Sequence, residues 1–476
     1  HERICGITQT VIWNLPKLLH CCQCVFQWYQ YIQLPMSRNL TMSESTSGEK
    51  ERLYTPVSHN EGEADILNLN PDGEPGLVNG LTAFTAALFI VGEMAGSGVL
   101  ALPEAVANTG WMGVVLIIIL GILSGTCGIV LSRSWLILRR DFREYQEHVR
   151  YPYPAVGFHT YGKIGKYVVQ FCINATLIGA CTVFILLASE NLHGLIDLDL
   201  TSISDKNEYR IWLVICSAVL LPLTWLGTPK NFWPVALFAI IATSVACLLI
   251  VIKIGVDFDG VAKTRHVTTT SFFSAFGAIA FSFGGTAAFP TIQCDMKQPS
   301  LFNSSIVLAY IVVLLMYLPV SILGFLAFGD DVQTNVLKNL SSTSGITKCV
   351  AALIASHLLF SFVIVLNPIS QQLEEWLNVP IGRVTVKSCL VRSFLVLFIL
   401  GLAQGIPHFG LFLNLVGSST TTLLTFVFPC MFYLKLQPHT SLHMKVFLYE
   451  IIVVGMLAAV TSTYFAIKAI IQELSS

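Results

Sequence analysis

Apolar residues in this chain come in long runs, not at the spacing of half-buried helices or strands. Eleven runs approach the roughly 20 residues that carry a helix across a bilayer. They cover residues 81–107, 112–138, 167–189, 210–227, 233–254, 272–294, 304–328, 347–367, 387–405, 410–434 and 446–470. The second, "WMGVVLIIILGILSGTCGIVLS", is the clearest; the fourth and ninth are the shortest. The pattern predicts an all-α polytopic membrane protein with about 11 transmembrane helices. Two stretches stand outside it. Residues 1–35 are apolar but interrupted and precede the first methionine, Met36, so they read as a non-native or upstream extension. Residues 36–76 are rich in Ser, Glu, Asn and Pro and read as a disordered tail.

Two of the runs are broken. The first contains "GEMAGSGVLALP", residues 92–103, with three glycines, a serine, a glutamate and a proline. Glycine weakens a helix, and an interior proline removes a hydrogen bond and clashes with the turn before it. The sixth contains "FSFGGTAAFP". Gly98 is followed five residues later by Pro103, and Gly285 five residues later by Pro290, so "GVLALP" and "GTAAFP" are copies of one interruption 187 residues apart. The second copy comes five spans later, an odd step that inverts it in the membrane. Paired Gly/Pro-interrupted segments of this kind point to a transporter binding site. An intact helix satisfies its own backbone and offers nothing to a polar ligand. A break frees N–H and C=O groups, which is tolerable only where they line a cavity. The helix resuming near Gly98 and Val99 presents bare N–H groups and positive partial charge that can hold a carboxylate. The competing account is a simple kink or close small-residue packing.

Composition sharpens the class. The chain is 54% hydrophobic and 12% charged, against about 25% charged in soluble domains. The net charge of −1 leaves no basic face for nucleic acid. The 13 cysteines fall mostly inside apolar runs, and "CCQC" at 21–24 has no second half, so neither a disulfide framework nor a metal site is indicated. No nucleophile–base pair or phosphate-binding loop argues for an enzyme, and no cofactor is implied. Twelve Lys and Arg flank one set of connections, six of them between Arg139 and Lys166, against six to eight on the other. This bias places the N-terminus in the cytosol. The sequon Asn339-Leu-Ser341 then lies on the non-cytosolic side, open to glycosylation, whereas Asn39 is cytosolic and Asn174 falls in the third span.

The motif "MAGSGVLALPEAVANTGW" in the first run, "AFSFGGTAAFPTIQCDMKQPSLF" in the sixth and "LNPISQQLEEWL" ending the eighth resemble the amino acid/auxin permeases, the amino acid transporter transmembrane family within the LeuT-type fold superfamily. The resemblance covers about residues 77–470 and implies a 5+5 inverted repeat plus an eleventh helix, with discontinuous helices 1 and 6. It implies an amino acid substrate whose carboxylate meets N–H groups around Gly96, Ser97 and Gly98, between Ala95 and Val99. Its amino group meets carbonyls near Phe281, Ser282 and Gly284, beside Gly285. Sodium-coupled relatives commonly carry Asn four residues before the first glycine of the break. Gly92 stands there, followed by Glu93, which points to protons over sodium.

Glu93 is the coupling-ion candidate. A charged side chain inside a span costs roughly 2.5–3.5 kcal/mol on insertion scales and is a functional hypothesis by default. It shares a helical face with Gly96 and Ser97. Glu104 reads as a gate or solvated residue, His357 as a core histidine able to titrate, and Asn367 and Asn414 as interhelical ties. Tyr54-Thr-Pro-Val57 matches a tyrosine-based endocytic signal. The leading expectation is a proton-coupled secondary transporter of amino acids by alternating access, in the plasma membrane or an endolysosomal or vesicular membrane. The alternative is an amino-acid sensor signalling through its cytosolic tail.

Overall fold

The computed structural model describes residues 67–69, 75–77, 80–146, 149–195, 205–225, 233–263, 267–379 and 385–475. Residues 1–35, the signal-like Tyr54–Val57 and the sequon at Asn39 lie outside the described residues. At the end of the segment expected to be a tail, Leu67–Leu69 pairs antiparallel with Pro75–Leu77. Everything else of regular structure among the described residues is helical.

The first run forms α1 (Ala83–Met94) and α2 (Gly98–Thr109). The second and third form α3 (Trp111–Asp141) and α4 (Pro152–Leu195), joined through a 3-10 turn at Arg143–Tyr145. Then follow α5 (Asp205–Trp225), α6 (Trp233–Val256), α7 (Thr269–Ser282) and the short α8 (Phe289–Cys294). The rest are α9 (Phe302–Phe328), α10 (Gly345–Trp376), α11 (Val386–Gly405), α12 (Phe409–Val416), α13 (Phe428–Leu436) and α14 (Leu442–Ser475). Among the described residues ten segments are long and apolar enough to cross a membrane, eleven when the bent α1–α2 pair counts as one span.

Local chemistry sets the ends. Thr82 caps α1 by accepting from the Thr85 amide, and Thr268 with Ser271 closes a capping box on α7. Gly110, at φ 64°, turns the chain between α2 and α3. A second glycine at positive φ, Gly162 (65°), splits α4, so the basic connection between spans two and three is itself partly helical. Its Tyr153 and Val156 bury against Trp135 and Phe432 in one apolar cluster. α10 outruns its apolar stretch because its polar end finds partners. Gln372 accepts from Asn174 at 2.6 Å, and Glu374 accepts from Arg392 at 2.8 Å and Ser388 at 2.5 Å. Arg392 also donates to the Thr224 carbonyl ending α5, at 2.9 Å. A buried ion pair whose remaining bonding groups are satisfied escapes the penalty of an uncompensated charge.

The first and sixth spans run antiparallel. Leu81, at the start of one, donates to Asp295 O at 2.7 Å and accepts from Lys297 N at 2.9 Å, just past the end of the other. At the opposite end Ser271 Oγ donates to Asn108 O at 3.0 Å. The two interrupted spans therefore lie side by side with their breaks level, as an inverted repeat requires.

Candidate functional site

The first break is short and sharp. α1 stops at Met94, α2 starts at Gly98, and the two are bent by 60°. Ala95 leaves helical space at φ −79°, ψ 78°, its N–H still reaching Val91 O. α2 then continues through Pro103 to Thr109. The second break is tighter and longer. Phe283 ends α7, residues Gly284–Ala288 form a 3-10 turn, and α8 resumes at Phe289.

Ending a helix inside the protein leaves carbonyls without partners, and each must be satisfied. One side chain serves both breaks. The hydroxyl of Tyr317, fully buried on α9, lies 2.7 Å from Met94 O and 2.9 Å from Ser282 O, the last carbonyls of α1 and α7. Its one proton is shared between them. The next carbonyl, Phe283 O, accepts from Ser124 Oγ at 3.2 Å, and Ser124 in turn pairs with Tyr310 at 2.6 Å. Two helix C-termini, each worth about half a negative charge, thus converge on a tyrosine.

A cavity of about 130 Å³ opens beside this point, bounded by α1, α4, α7 and α10. Glu93, Gly96, Ser97, Phe281, Gly284 and Gly285 line it. Ala95, Gly98, Val99 and Ser282 do not. They are buried behind its wall, where α2 and α7 meet backbone to backbone: a Cβ on Gly98 would come within 2.8 Å of Ser282 Cα. Glu93 is solvent-accessible although Val91, Met94 and Ala95 beside it are buried. Among the described residues no hydrogen bond or ion pair engages its carboxylate. It leans on the second break, since a Cβ on Gly285 would sit 3.4 Å from Glu93 Cγ.

Three features escaped the sequence reading. Tyr317 is one. His357 is another: expected in the core, it lines the cavity, and its Nδ1 is buried with no partner. The third is a π-helical stretch in the tenth span, Gly417–Thr421 and Leu423–Val427, between α12 and α13. Ser and Thr hydroxyls satisfy carbonyls there, as Thr422 does by donating to Gly417 O at 2.7 Å, and Tyr153 donates to Leu424 O at 2.6 Å. Thr421 brings this stretch to the cavity wall, and π-turns are frequent at functional sites. The signal was the hydroxyl-rich "GSSTTTLLTFVFP".

A larger cavity of about 810 Å³ lies where α4 ends and α12 begins. Glu104, Arg210 and Asn335 are among its lining residues, and several polar side chains at its wall contact one another: Lys338 with Glu190, His193 with Glu208 at 3.4 Å, His408 with Glu473 at 2.9 Å. It touches neither Glu93 nor the breaks, and size alone does not make it the site. Asn414 ties α12 to Ser274 at 2.8 Å, and Asn367 accepts from Arg392 at 3.5 Å.

Residues 79–468 match the family model described as "Transmembrane amino acid transporter protein", and the chain belongs to that family. It is 24% identical over 450 residues to amino acid transporter AVT1D of Arabidopsis thaliana, covering 91% of this chain and 79% of that protein. Amino acid transporter AVT3C from the same plant is 28% identical over 363 residues, 71% of this chain and 79% of that one. The fold is similar to that of MhsT solved with L-phenylalanine (TM-score 0.54, 14% identity, 81% of this chain and 98% of that one). It is also similar to a manganese transporter of Eremococcus coleocola (TM-score 0.53, 13% identity, 81% and 86%). At these identities the structures speak for the LeuT-type fold alone.

Proposed function

We propose that this member of the transmembrane amino acid transporter family is a secondary active transporter that moves an amino acid together with a proton. The observation that carries the reading is the small cavity between two level breaks, with the unengaged carboxylate of Glu93 on its wall. The substrate's carboxylate docks toward Ser97 and the start of α2, where the helix dipole is positive. Its amino group sits toward Glu93 and Phe281. Gly96, Gly98, Gly284 and Gly285 let backbone and ligand, or backbone and backbone, come close; Ala95, Val99 and Ser282 form the layer behind.

Proton coupling follows from what stands at the charged points. Convergent helix C-termini attract a cation, and here Tyr317's hydroxyl occupies the point where Met94 O and Ser282 O meet. Among the residues lining the cavity, Glu93 is the one carboxylate that can carry a coupling proton. Protonated, it is neutral and the loaded site crosses the membrane barrier cheaply; deprotonated on the far side, it resets the cycle. The N-terminus lies in the cytosol, the side of the basic connection from Arg139 to Lys166.

The test is uptake of an amino acid panel into proteoliposomes. Acidifying the side that bears the 329–346 loop drives accumulation, and replacing sodium leaves it unchanged. Glu93→Gln keeps binding and exchange but loses gradient-driven accumulation. Accumulation by Glu93→Gln at the wild-type level, or strict sodium dependence of the wild type, overturns proton carriage by Glu93.

A further inference from the structure

His357 is 2% exposed, sits at mid-length of α10 and lines the central cavity. A histidine satisfied in a core holds a partner on at least one nitrogen. Among the described residues His357 has none: Nδ1 is buried and unpartnered, and no bond engages Nε2. Nε2 is the atom turned to the first break, 3.2 Å from where a Cβ on Gly96 would stand. Any larger residue there would crowd the ring, which would have to give by a few tenths of an ångström. Gly96 is separated from the start of α2 by Ser97 alone, and Ser97 Oγ is also buried without a partner. Ser361, one turn further along α10, lines the same wall.

The cavity is therefore polar at two walls of different sign. Glu93 faces the second break as an acceptor. His357 faces the first break and can donate. An unpartnered buried polar group is a standing destabilisation unless a ligand or water completes it. Nδ1 is shut off from the cavity, so the proton of the neutral ring is useful at Nε2, where a ligand can accept it.

We propose that His357 is a substrate-binding residue, its Nε2–H donating to the carboxylate of the bound amino acid at the first break. The assignment rests on the transport reading above and adds to it the side chain that recognises the carboxylate. It fixes the polarity of the bound zwitterion: carboxylate between Ser97 and His357, ammonium toward Glu93. It also sets a class preference, because a ligand without a carboxylate at that end forfeits the charge-assisted bond.

The experiment pairs truncation of the protein with truncation of the ligand. Full-chain protein in nanodiscs is titrated with each proteinogenic amino acid and with its carboxamide, and affinity is taken from the thermal shift. Variants are His357→Leu and His357→Gln. Wild type binds the acid over the amide. His357→Leu weakens the acid about ten- to a hundredfold, the range of a hydrogen bond to a charged group, and weakens the amide only a few-fold, because its neutral carbonyl accepts a weaker bond. His357→Gln, which keeps an N–H donor, retains most of the preference. Equal weakening of acid and amide by His357→Leu, or no weakening of either, overturns the assignment and returns His357 to a packing role. If no amino acid shifts the wild type, the transport reading itself fails and the assignment falls with it.

Discussion

"GVLALP" and "GTAAFP" share a first and a last letter at the same spacing, yet the two breaks they open are built differently. At the first, helix resumes immediately at Gly98, so Pro103 falls inside α2. There its ring is held by α9, where a Cβ on Gly324 would come within 2.7 Å of Pro103 Cβ. At the second, helix resumes only at Phe289, after five residues of 3-10 turn. Pro290 then stands in the first two positions of α8, where its missing N–H leaves no bond unmade. The glycines differ in the same sense. Gly98 abuts the backbone of Ser282, whereas Gly285 faces Met94 Cγ at 2.9 Å and Glu93 Cγ at 3.4 Å, both measured from an added Cβ. One break is fixed by backbone against backbone, the other by side chains that can move. What stands opposite a glycine, and not the glycine itself, decides how rigid the break is.

The largest expected effect separates these glycines. Gly98→Ala puts a methyl group into Ser282's backbone, and overpacking that only a helix shift relieves costs about 1–3 kcal/mol or more. Folded yield and binding should both collapse. Gly285→Ala meets the Cγ methylene of Met94, so a side chain and not backbone must shift, and we expect a smaller loss of about 1 kcal/mol with transport within a few-fold of wild type. Thermal unfolding of the two purified variants in the same detergent checks the ranking. Equal damage at both positions would erase the distinction between a fixed and a yielding break.

The breaks were legible because Gly and Pro declare themselves in an apolar run, and the spans because the runs are long. What holds the breaks was not. Tyr317 lies 223 residues from Met94 and 35 from Ser282, in a run that reads only as apolar. Nothing in a helical sequence announces that one hydroxyl will finish two other helices. The Glu374–Arg392 pair was similarly hidden, since charged residues at span ends ordinarily mark solvent. His357 was visible as a residue but not as a site: its meaning depends on Gly96 standing opposite, a relation between the first span and the eighth. Ala95, Gly98, Val99 and Ser282 show the converse. The motif singled them out with the cavity residues, but spacing along a chain does not tell the face of a break from its back.

Tyr317→Phe tests whether the two breaks are one device. The ring still fits, and only the hydroxyl is lost. Ser282 O loses the hydroxyl it faces, and Met94 O keeps only the Gly96 amide at 2.9 Å. The expected destabilisation is roughly 1–3 kcal/mol, with substrate affinity falling because both walls of the cavity loosen together. Combined with Gly285→Ala, the loss should depart from the sum of the two singles by more than about 0.5 kcal/mol, since both act on the contact between Met94 and the second break. Strict additivity would mean that the breaks are held independently and that Tyr317 merely fills space.

The smallest effect belongs to the feature that first drew the eye, the second proline. Pro290→Ala adds an N–H at the start of α8, where the first turn has no intrahelical acceptor to offer. It removes a ring from a buried position and restores a little chain entropy to the unfolded state. These changes oppose one another, and we expect a net change within about 0.5 kcal/mol, as for most substitutions without a named mechanism. Transport should be close to wild type. Pro103→Ala differs in kind: inside α2 it restores an N–H that can reach Val99 O, and it takes away the ring surface on which Gly324 packs. A measurable shift is expected there in both stability and the transport rate. If instead Pro290→Ala proves the more harmful of the two, the 3-10 turn depends on proline after all. The second break would then be as fixed as the first, and the contrast between them would reverse.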